Sequence, residues 1–500
     1  MKRLFALATM GLLGLSSLSF VEAEDTIDIG SRRELFVDRL LISRLVGADL
    51  ELKHPVPAGV AVRFDDPWEG PLAFYSTVFK DGDKYRLYYR GRYGKDGTTC
   101  YAESRDGIHW TKPELGLVSL DGSTKNGVIL ASARQFCPFI DRRPGVPDSE
   151  RYKANSRGPE DPHALIGYVS ADGLRWRQIQ KEAIVPMALV NNFDSQNVMF
   201  WSEVEKQYVL YARHMEGGRR ATARATSSDF RNWSQQTLMT YSDTGTTTPS
   251  SQFYTNQTQP YFRAPHIYIS LPARILFADE GSINREDDIE AARRQALTVT
   301  PELREFVIEH MKPMGTKGTG DRSDAVLMTS RAGTTHYDFT LRESLIRPGI
   351  GINNWTTRTN YPSCGVVQTG PAEMSLYVHR DYGQKTAHLE RMTLRLDGFA
   401  SLHAPYQGGE MLSHPLKFSG SRLEINYSTS AAGGLHVEIQ DAQGQPIPGF
   451  SLDECSEIIG DEIQRIVSWE AGSDVSSMAG KTVRLRFVMK DADLYSIRFH

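Results

Sequence analysis

The sequence lacks three features that would narrow its class at once. It has only four cysteines in 500 residues, and none of them lies in a CxxC or other zinc-like spacing. It has no excess of either charge, with 57 Lys and Arg against 61 Asp and Glu and a net charge of −4. It also has no apolar run beyond residue 23 of the roughly 18 to 20 residues that a membrane span needs. These absences argue against a cysteine zinc site, a nucleic-acid partner and a membrane span in the mature protein.

The N-terminus indicates export from the cytoplasm. Residues 1–3 are Met-Lys-Arg, residues 4–20 are mostly apolar, and a cleavage pattern of small residues follows. Residues 1–23 are therefore predicted to be a cleaved signal peptide, and the protein is predicted to be secreted or periplasmic. In that compartment a pair such as Cys100 with Cys137 can form a disulfide, although buried free thiols fit the spacing equally well.

A repeated strand ending runs through the rest of the chain. The two clearest copies are Ser104–Trp110 (SRDGIHW) and Ser170–Trp176 (SADGLRW), a weaker one is Ser227–Trp233, and degenerate ones are Ser330–Gly333 and Arg395–Phe399. Ser, Asp and a left-handed Gly close a tight turn, and the aromatic residue packs between neighbouring sheets. Five copies predict five structural units, in which these aspartates have a structural role.

Each unit is predicted to have four short antiparallel strands, because two further β-patterned runs precede each copy. Four-stranded units repeated around an axis are the blades of a β-propeller. The predicted fold is all-β, with a five-bladed β-propeller over 24–405 and a separate C-terminal β-sandwich over 408–500 that acts as a scaffold or binds sugar. Glu34–Ile42 is predicted as the strand that closes the ring. The blades are expected near residues 70–113, 126–180, 192–236, 252–342 and 360–404.

An insertion with a charged, helical pattern interrupts the fourth unit. It extends from about residue 277 to 320 and contains Thr300-Pro301-Glu302, which is typical of a helix start. Its place between the second and third strands predicts that it lies on the pocket side of the unit. A lid, a substrate-selecting wall, a passive insertion and a subunit contact all remain compatible with the sequence.

Four short motifs strengthen a resemblance to known enzymes. They are Leu35–Asp38 (LFVD), Asp66–Glu69 (DPWE), Asp194–Asn197 (DSQN) and Asn360–Pro362 (NYP). With the repeated turns they make the chain similar to the five-bladed glycosidases of glycoside hydrolase families 32 and 43, and to secreted bacterial proteins of the family 32-like type. The Asn-Asp-Pro-Asn, Arg-Asp-Pro and Glu-Cys motifs of family 32 are all missing from the predicted propeller, so the resemblance implies a shared fold more than a shared substrate.

The resemblance implies an axial pocket and a pair of catalytic carboxyl groups for glycoside hydrolysis. Asp66 is the first choice for base or nucleophile, and Asp194 is expected to orient the sugar or tune the acid. Asp324 and Glu69 are preferred over Glu216 as general acid. No cofactor is expected to be required, and an axial metal such as calcium is left open. The carboxylates that fit the pocket side are Asp65, Asp66, Glu69, Glu160, Asp161, Asp194, Glu216, Asp321 and Asp324.

An arginine recurs at the same place in every unit. These arginines are Arg90, Arg157, Arg213, Arg274 and Arg380. Arginines that converge near an axis bind carboxylate or sulfate in a bidentate manner, which predicts an anionic sugar as substrate. Trp68, Tyr93, Tyr254 and Tyr361 are the aromatic candidates for stacking on sugar rings. The alternative is that the arginines pair with acidic residues on adjacent units.

Two other functions fit the same pattern. One is a non-catalytic propeller that binds a polysaccharide through its arginines and aromatic residues. The other is a lyase that acts on uronic polysaccharides and uses a tyrosine or histidine base, for which Tyr254, Tyr361, His214 and His379 are available. All three functions share an oligo- or polysaccharide partner.

Overall fold

The computed structural model describes residues 25–70, 72–91, 97–131, 133, 135–158, 163–186, 193–276, 322–351, 354–355 and 358–500. These residues form strands and two short 3-10 turns, Asp148–Glu150 and Ser476–Met478, with no α-helix among them. In that part of the chain no helix is therefore available to cross a membrane. Several predictions lie outside the described residues: the signal peptide, the 277–320 insertion, Glu160, Asp161, Asp321 and Tyr93.

Three sheets follow one another along the first half of the chain. Five strands precede them, β1 (Ile27–Gly30), β2 (Arg33–Leu35), β3 (Ile42–Val46), β4 (Asp49–Leu52) and β5 (Val56–Arg63). The first sheet has β6 (Phe74–Asp81), β7 (Lys84–Arg90), β8 (Thr98–Ser104), β9 (Trp110–Thr111) and β10 (Val128–Ala131). The second has β11 (Cys137–Ile140), β12 (Tyr152–Arg157), β13 (Leu165–Ser170) and β14 (Arg177–Gln178). The third has β15 (Val198–Ser202), β16 (Gln207–Glu216), β17 (Arg219–Ser227) and β18 (Thr237–Leu238).

The fourth unit consists of three small sheets. Its strands are β19 (Thr240–Tyr241), β20 (Gln252–Phe253), β21 (Gln259–Tyr261), β22 (Ala264–Ser270), β23 (Ala273–Leu276), β24 (Arg322–Ala325), β25 (Met328–Arg331) and β26 (His336–Tyr337). They pair as β19 with β26, β23 with both β20 and β24, and β22 with both β21 and β25. Strands β23 and β24, which flank the predicted insertion in the chain, pair with each other. The predicted insertion itself stays a prediction.

A strand from the N-terminal part of the chain completes the fifth unit. Its other strands are β27 (Tyr361–Pro362), β28 (Val367–Gln368), β29 (Glu373–Arg380) and β30 (His388–Arg395). Strand β5 pairs antiparallel with β30, so the N-terminal segment and the last unit share a sheet. The prediction that Glu34–Ile42 closes the ring was wrong. Glu34 and Leu35 instead pair with a strand near the C-terminus, because their register is set by hydrogen-bonding partners far along the chain.

A ten-stranded sheet brings the two ends of the chain together. Its C-terminal strands are β31 (Ala400–Ala404), β32 (Gly409–Ser413), β33 (Leu416–Phe418), β34 (Leu423–Asp441), β35 (Asp461–Ile466) and β36 (Val483–Phe499). The strands β1 to β4 join this sheet through pairs with β33, β36, β32 and β31 respectively. The largest hydrophobic cluster spans this sheet and the fourth and fifth units, with residues such as Phe487, Leu402, Ile267 and Leu376 fully buried.

The repeated Ser-Asp-Gly endings close turns by side-chain hydrogen bonds to the backbone. At the second copy the Ser170 hydroxyl accepts from the Gly173 amide at 2.9 Å. Asp172 Oδ1 accepts from the amides of Leu174 and Arg175 at 2.8 Å each. Gly173 has a φ of +75°, in the left-handed region that glycine adopts at low cost. The predicted structural role of these aspartates is therefore confirmed at this copy.

Replacing Asp172 by alanine is expected to lower the free energy of unfolding by about 1–2 kcal/mol, because two backbone amides lose their acceptor. Asp172→Asn keeps one acceptor oxygen and should lose less. Urea unfolding of the two variants beside wild type measures the difference. An alanine variant as stable as wild type would contradict the role of Asp172 in the turn.

One polar side chain from each of the five units meets its neighbours at a common centre. Thr77 Oγ1 donates to Cys137 Sγ at 3.6 Å and accepts from Gln196 Nε2 at 2.7 Å. Gln257 Nε2 donates to Gln196 Oε1 at 2.9 Å, and Cys364 forms a parallel bridge with Thr77. All five residues are buried. The innermost parts of the units therefore converge, which brings residues from distant parts of the chain to one place.

The four cysteines are free thiols, and all of them are buried. The pairing of Cys100 with Cys137 that the sequence left open does not occur. Cys137 instead contacts Cys364 at the common centre, and burial together with this neighbour raises the pKa of Cys364 well above its usual range. The Cys364 thiol is consequently a protonated packing group at neutral pH.

Candidate functional site

Asp66 and Glu69 lie in a cluster of carboxylates around one lysine. Lys112 Nζ lies 2.7 Å from Asp66, 3.0 Å from Glu69 and 3.0 Å from Asp65. Glu69 is fully buried, accepts a hydrogen bond from the Tyr89 hydroxyl and binds the Asp66 amide at 3.0 Å. Burial raises the pKa of Glu69, against the opposing effects of Tyr89 and Lys112. The described contacts thus give Asp66 and Glu69 roles in a local turn, and their predicted catalytic roles stay predictions.

Within the described part of the chain, two groups of side chains have the geometry to hold a metal ion, and each has a lysine beside it. The first is Asp65, Asp66 and Glu69, with Lys112 among them. The second is Glu51, His403 and Asp493, where Lys53 Nζ lies 3.2 Å from Glu51 and 2.9 Å from Asp493. An ammonium group already balances the charge that would attract a divalent cation. Neither group is therefore a good fit for a resident metal.

Two of the five predicted arginines pair with acidic residues of their own unit. Arg274 binds Asp324 through two hydrogen bonds of 2.8 and 2.5 Å, the geometry of a bidentate ion pair. Arg380 Nε donates to Glu390 at 2.7 Å, and the same guanidinium binds Asn360. Asp324 is thereby engaged by Arg274, which does not suit the general acid that the sequence analysis proposed. Trp68, another predicted substrate contact, packs against the hydrophobic cluster of Phe64 and Tyr89.

Asp194 is a predicted carboxylate that lies beside two of the predicted arginines. Arg157 Nη1 lies 3.2 Å from Asp194 Oδ1, and Gln135 Nε2 donates to the same oxygen at 3.1 Å. Arg213 Nη1 lies 3.7 Å from Asp194 Oδ2 and also donates to the Asp194 carbonyl. The Asp194 side chain remains 41% exposed. The second and third units therefore contribute to a polar site that solvent reaches.

A cluster of tyrosines and arginines adjoins Asp194. Arg213 and Arg220 lie over the Tyr254 ring, with guanidinium carbons 5.8 and 5.2 Å from its centre. Tyr254 and Tyr361 have ring centres 5.3 Å apart. Arg90 lies 5.0 Å from the Tyr75 ring centre, and Arg358 lies 6.0 Å from that of Tyr382. We call this site the arginine–tyrosine pocket, consisting of Tyr75, Tyr254, Tyr361, Tyr382, Arg90, Arg157, Arg213, Arg220, Arg358 and Asp194.

The pocket has an unusual tyrosine. Burial by itself raises the pKa of Tyr254, but the positive charges of Arg358 and Arg213 and a hydrogen bond from Tyr75 outweigh it, and the net shift is downward despite the Asp194 charge. Tyr75 behaves oppositely, because burial and the nearby Tyr254 and Asp194 raise its pKa well above the usual value. Tyr75 therefore remains a hydrogen-bond donor, and the Tyr254 hydroxyl is the more acidic of the two.

Histidine 379 lies beside the pocket but is enclosed by other side chains. Its ring stacks on Phe64 at 5.7 Å and packs against Phe74 at 5.2 Å between centres. Its Nε2 lies 2.8 Å from the Ser76 hydroxyl. Burial, with Arg90 and His388 nearby, lowers the pKa of His379 to about 3, so the imidazole is neutral near pH 7. It therefore serves as packing between the Asp66 cluster and the tyrosines.

Several residues around the pocket have left-handed backbone conformations that are uncommon outside glycine. Tyr75 has a φ of +51°, Gln135 of +47°, Arg358 of +61° and Asn360 of +67°. Tyr75 lies at a bulge where the pairing of β6 with β7 shifts register. A bulge re-aims a side chain, and strained residues of this kind concentrate at functional sites. The residues with left-handed backbone conformations thus lie at the same site as the clustered arginines and tyrosines.

Sequence reasoning found part of the pocket and missed the rest. It named Asp194, Tyr254 and Tyr361 and the three arginines Arg90, Arg157 and Arg213. It missed Tyr75, Tyr382, Arg220 and Arg358. Arg358 lies two residues before the Asn360-Tyr361-Pro362 motif, which is a signal that could have indicated it. Tyr75 and Arg220 lie in otherwise ordinary strand patterns and have no such signal.

Comparison with known proteins gives limited similarity. No family model matches the chain. Two uncharacterized proteins of Mycobacterium tuberculosis are 33% identical over 143 residues, which is 27% of this chain and 42% of each relative. The match thus covers less than half the length of these curated relatives.

The solved structures that the chain is similar to in fold include glycoside hydrolases. A glycosyl hydrolase from Bacteroides ovatus is 13% identical with a TM-score of 0.38, over 71% of this chain and 96% of the other. An N-acetylgalactosamine deacetylase from F. plautii is 10% identical with a TM-score of 0.43, over 70% and 96%. A family 32 β-fructofuranosidase from Bombyx mori is 11% identical with a TM-score of 0.37, over 88% and 94%. Similarities of this size do not define a function, so the function has to be inferred from the residues of the pocket.

Proposed function

We propose that this protein is a secreted carbohydrate-active enzyme that cleaves glycosidic bonds in an anionic glycan. The observation that supports it most is the gathering of arginines and tyrosines from five units on a single site with Asp194. Guanidinium groups recognise carboxylate and sulfate by paired hydrogen bonds, and tyrosine rings stack on sugars. This combination favours a sugar with a negative charge.

The charges that meet in the pocket support an anionic ligand. Arg157 and Arg213 approach one carboxylate, Asp194, and the charge of Arg358 acts on the neighbouring Tyr254. The groups that act most on Arg358 besides burial are tyrosine hydroxyls, led by Tyr254. Neutral hydroxyl groups do not cancel the positive charge of a guanidinium group. The attraction between this charge and an incoming anion therefore offsets the hydration free energy that the anion loses on leaving water.

We propose further that the five units are the blades of one β-propeller and that the pocket lies on its axis. Contacts between the innermost strands of consecutive units support this, as does the shared polar centre at Thr77 and Gln196. The ten-stranded sheet would then hold the propeller from one side as a β-sandwich scaffold. An axial pocket explains why residues from every unit contribute to one site.

Hydrolysis is the reaction that the resemblance to glycosidases implies. It needs one carboxyl group to protonate the leaving oxygen and a second to activate water or attack the sugar. Asp194 supplies one carboxylate at the pocket. The described contacts of Asp66, Glu69 and Asp324 lie instead with Lys112 and Arg274, so the pairing of Asp194 with any of them stays a prediction.

The test is cleavage of matched glycans. Uronic-acid oligosaccharides, sulfated oligosaccharides and the same uronic-acid oligosaccharides with carboxylates reduced to alcohols are incubated with the mature protein, and new reducing ends are counted. We expect reducing ends from a charged glycan and at least a tenfold slower release from its carboxyl-reduced form. Binding of a charged glycan without any new reducing ends would identify a non-catalytic sugar-binding protein instead.

A further inference from the structure

Tyr254 has surroundings that prepare a phenol to act as a base. It follows β20, and its ring lies beneath the guanidinium groups of Arg213 and Arg220. The positive charge of Arg358 and the Tyr75 hydroxyl both lower the pKa of the Tyr254 hydroxyl. These groups come from three different units. Each of them stabilises a phenolate more than a phenol, so together they favour the negatively charged form.

We infer that Tyr254 is the catalytic base of an elimination reaction on a uronic-acid glycan bound in the arginine–tyrosine pocket. This inference rests on the proposed function for the class of substrate and adds the reaction and the residue. Elimination requires one base near the sugar and a positively charged group beside the sugar carboxylate, and it does not require a pair of catalytic carboxylates. The pocket supplies both the base and the positive charge.

The chemistry balances with the groups in the pocket. Arginines such as Arg213 and Arg358 pair with the substrate carboxylate at C6, which makes the neighbouring C5 proton more acidic. The Tyr254 phenolate oxygen takes that proton. The C5–H electron pair forms the C4–C5 double bond, and the C4–O bond breaks with its electrons on the leaving oxygen. That oxygen takes the proton from the newly formed Tyr254 phenol, so no water, oxidant or reductant is consumed.

The other candidate bases are less suited. His379 is 2% exposed, lies between Phe64 and Phe74 and binds Ser76. Tyr361 is 1% exposed and packs between Phe74 and Tyr254. Asp194 accepts hydrogen bonds from Gln135 and Arg157 at Oδ1, and these donors hold its carboxylate in the charged, acceptor-only state of an ion pair. Tyr254 is 8% exposed and has three arginines beside it.

The pH dependence of activity separates a base from a structural tyrosine. The base must be unprotonated, so activity rises as pH increases through the Tyr254 pKa. The groups that face Tyr254 and set that pKa are Tyr75, Asp194, Arg213, Arg220, Arg358 and Tyr361. Tyr75→Phe removes a hydrogen bond that lowers the pKa, so the rising limb should move to higher pH. Asp194→Asn removes a negative charge that raises the Tyr254 pKa, so the rising limb of the activity profile should move to lower pH.

The deciding experiment uses the mature protein, uronic-acid oligosaccharides and two readouts, new reducing ends and the ultraviolet absorbance of an unsaturated uronate. Wild type should produce both in equal amounts, with products lighter than the hydrolytic ones by one water. Tyr254→Phe should lower the rate by roughly 10²–10⁴-fold while the protein still binds the oligosaccharide. Tyr495→Phe, in the ten-stranded sheet, removes the same atom away from the pocket and should leave the rate unchanged.

The outcomes separate the inference from the proposed function. Reducing ends without ultraviolet absorbance would establish hydrolysis, which supports the proposed function and overturns the elimination. No reducing ends from any charged glycan would overturn both. Elimination that persists in Tyr254→Phe, or pH limbs that do not move in Tyr75→Phe and Asp194→Asn, would remove Tyr254 from the role of base.

Discussion

Replacing Arg358 by methionine is expected to lower kcat/KM for a charged glycan by roughly 10²–10³-fold, equivalent to about 3–4 kcal/mol of lost interaction. The methionine side chain is similarly long but carries no charge, so packing against Tyr382 can persist while the bond to an anionic sugar is lost. The reason for the size of the effect is that hydrogen bonds between a guanidinium group and an anion are among the strongest in proteins.

Steady-state kinetics on a uronic-acid oligosaccharide and on its carboxyl-reduced form measure this effect. The loss should be confined to the charged substrate. Arg175→Met is the matched control, since Arg175 is a surface arginine paired with Asp172 in a turn. If Arg358→Met slowed both substrates equally, Arg358 would be a structural residue rather than an anion-binding one.

Replacing Arg331 by methionine is expected to lower the free energy of unfolding by about 3–5 kcal/mol, because it leaves two buried carboxylates without their cation. Arg331 binds Glu34 at 2.5 Å and Asp38 at 2.9 Å, and Glu34 also binds His266 at 2.9 Å. Glu34 is fully buried. This network joins the N-terminal segment to the fourth unit, so its loss loosens the contact between the ten-stranded sheet and that unit.

The exposed pair Arg39–Asp49 provides the matched control. Its side chains are 51% and 75% exposed, so Arg39→Met should cost less than about 1 kcal/mol. Chemical unfolding of both variants beside wild type gives the comparison. Equal stability of Arg331→Met and Arg39→Met would mean that the buried network contributes little.

The same network makes stability depend on pH in a defined direction. Burial alone raises the pKa of Glu34, but His266 and Arg331 outweigh it and hold the pKa at about 2, below the usual 4.5. A lowered folded-state pKa contributes stability that is present above about pH 4.5 and is lost as the pH falls towards 2. The contribution is about 3 kcal/mol at neutral pH. Glu34→Gln should flatten this acid limb in unfolding curves measured from pH 2 to 7.

The sequence predicted the all-β class and the turns because both depend on nearby residues. Ser170, Asp172 and Gly173 lie within four positions, and their hydrogen bonds follow from short-range geometry. The arginine alignment was also local, since a strand delivers a side chain at a fixed distance from its turn. It pointed to Arg157 and Arg213, which meet the acidic residue Asp194, and their role in binding a substrate stays a prediction.

The same alignment could not separate these arginines from Arg274 and Arg380. Arg274 meets Asp324 across 50 residues, and Arg380 meets Glu390 on the next strand. The strand pattern was equally strong in all five cases. What differs is whether an acidic residue faces the arginine in the folded sheet, and that depends on the register of pairing between strands.

By itself the sequence determined the strands, the closing turns and the supply of arginines, because alternation and turn chemistry act over a few residues. Only the tertiary structure decided which distant strands pair and which charges meet. Strand β5 joins the last unit and β2 joins the C-terminal sheet, across more than 300 residues in each case. Lys112 reaches Asp66 over 46 positions, and Tyr254 receives the charge of Arg358. Coulombic and hydrogen-bond energies depend on distance in space, which sequence separation does not reveal.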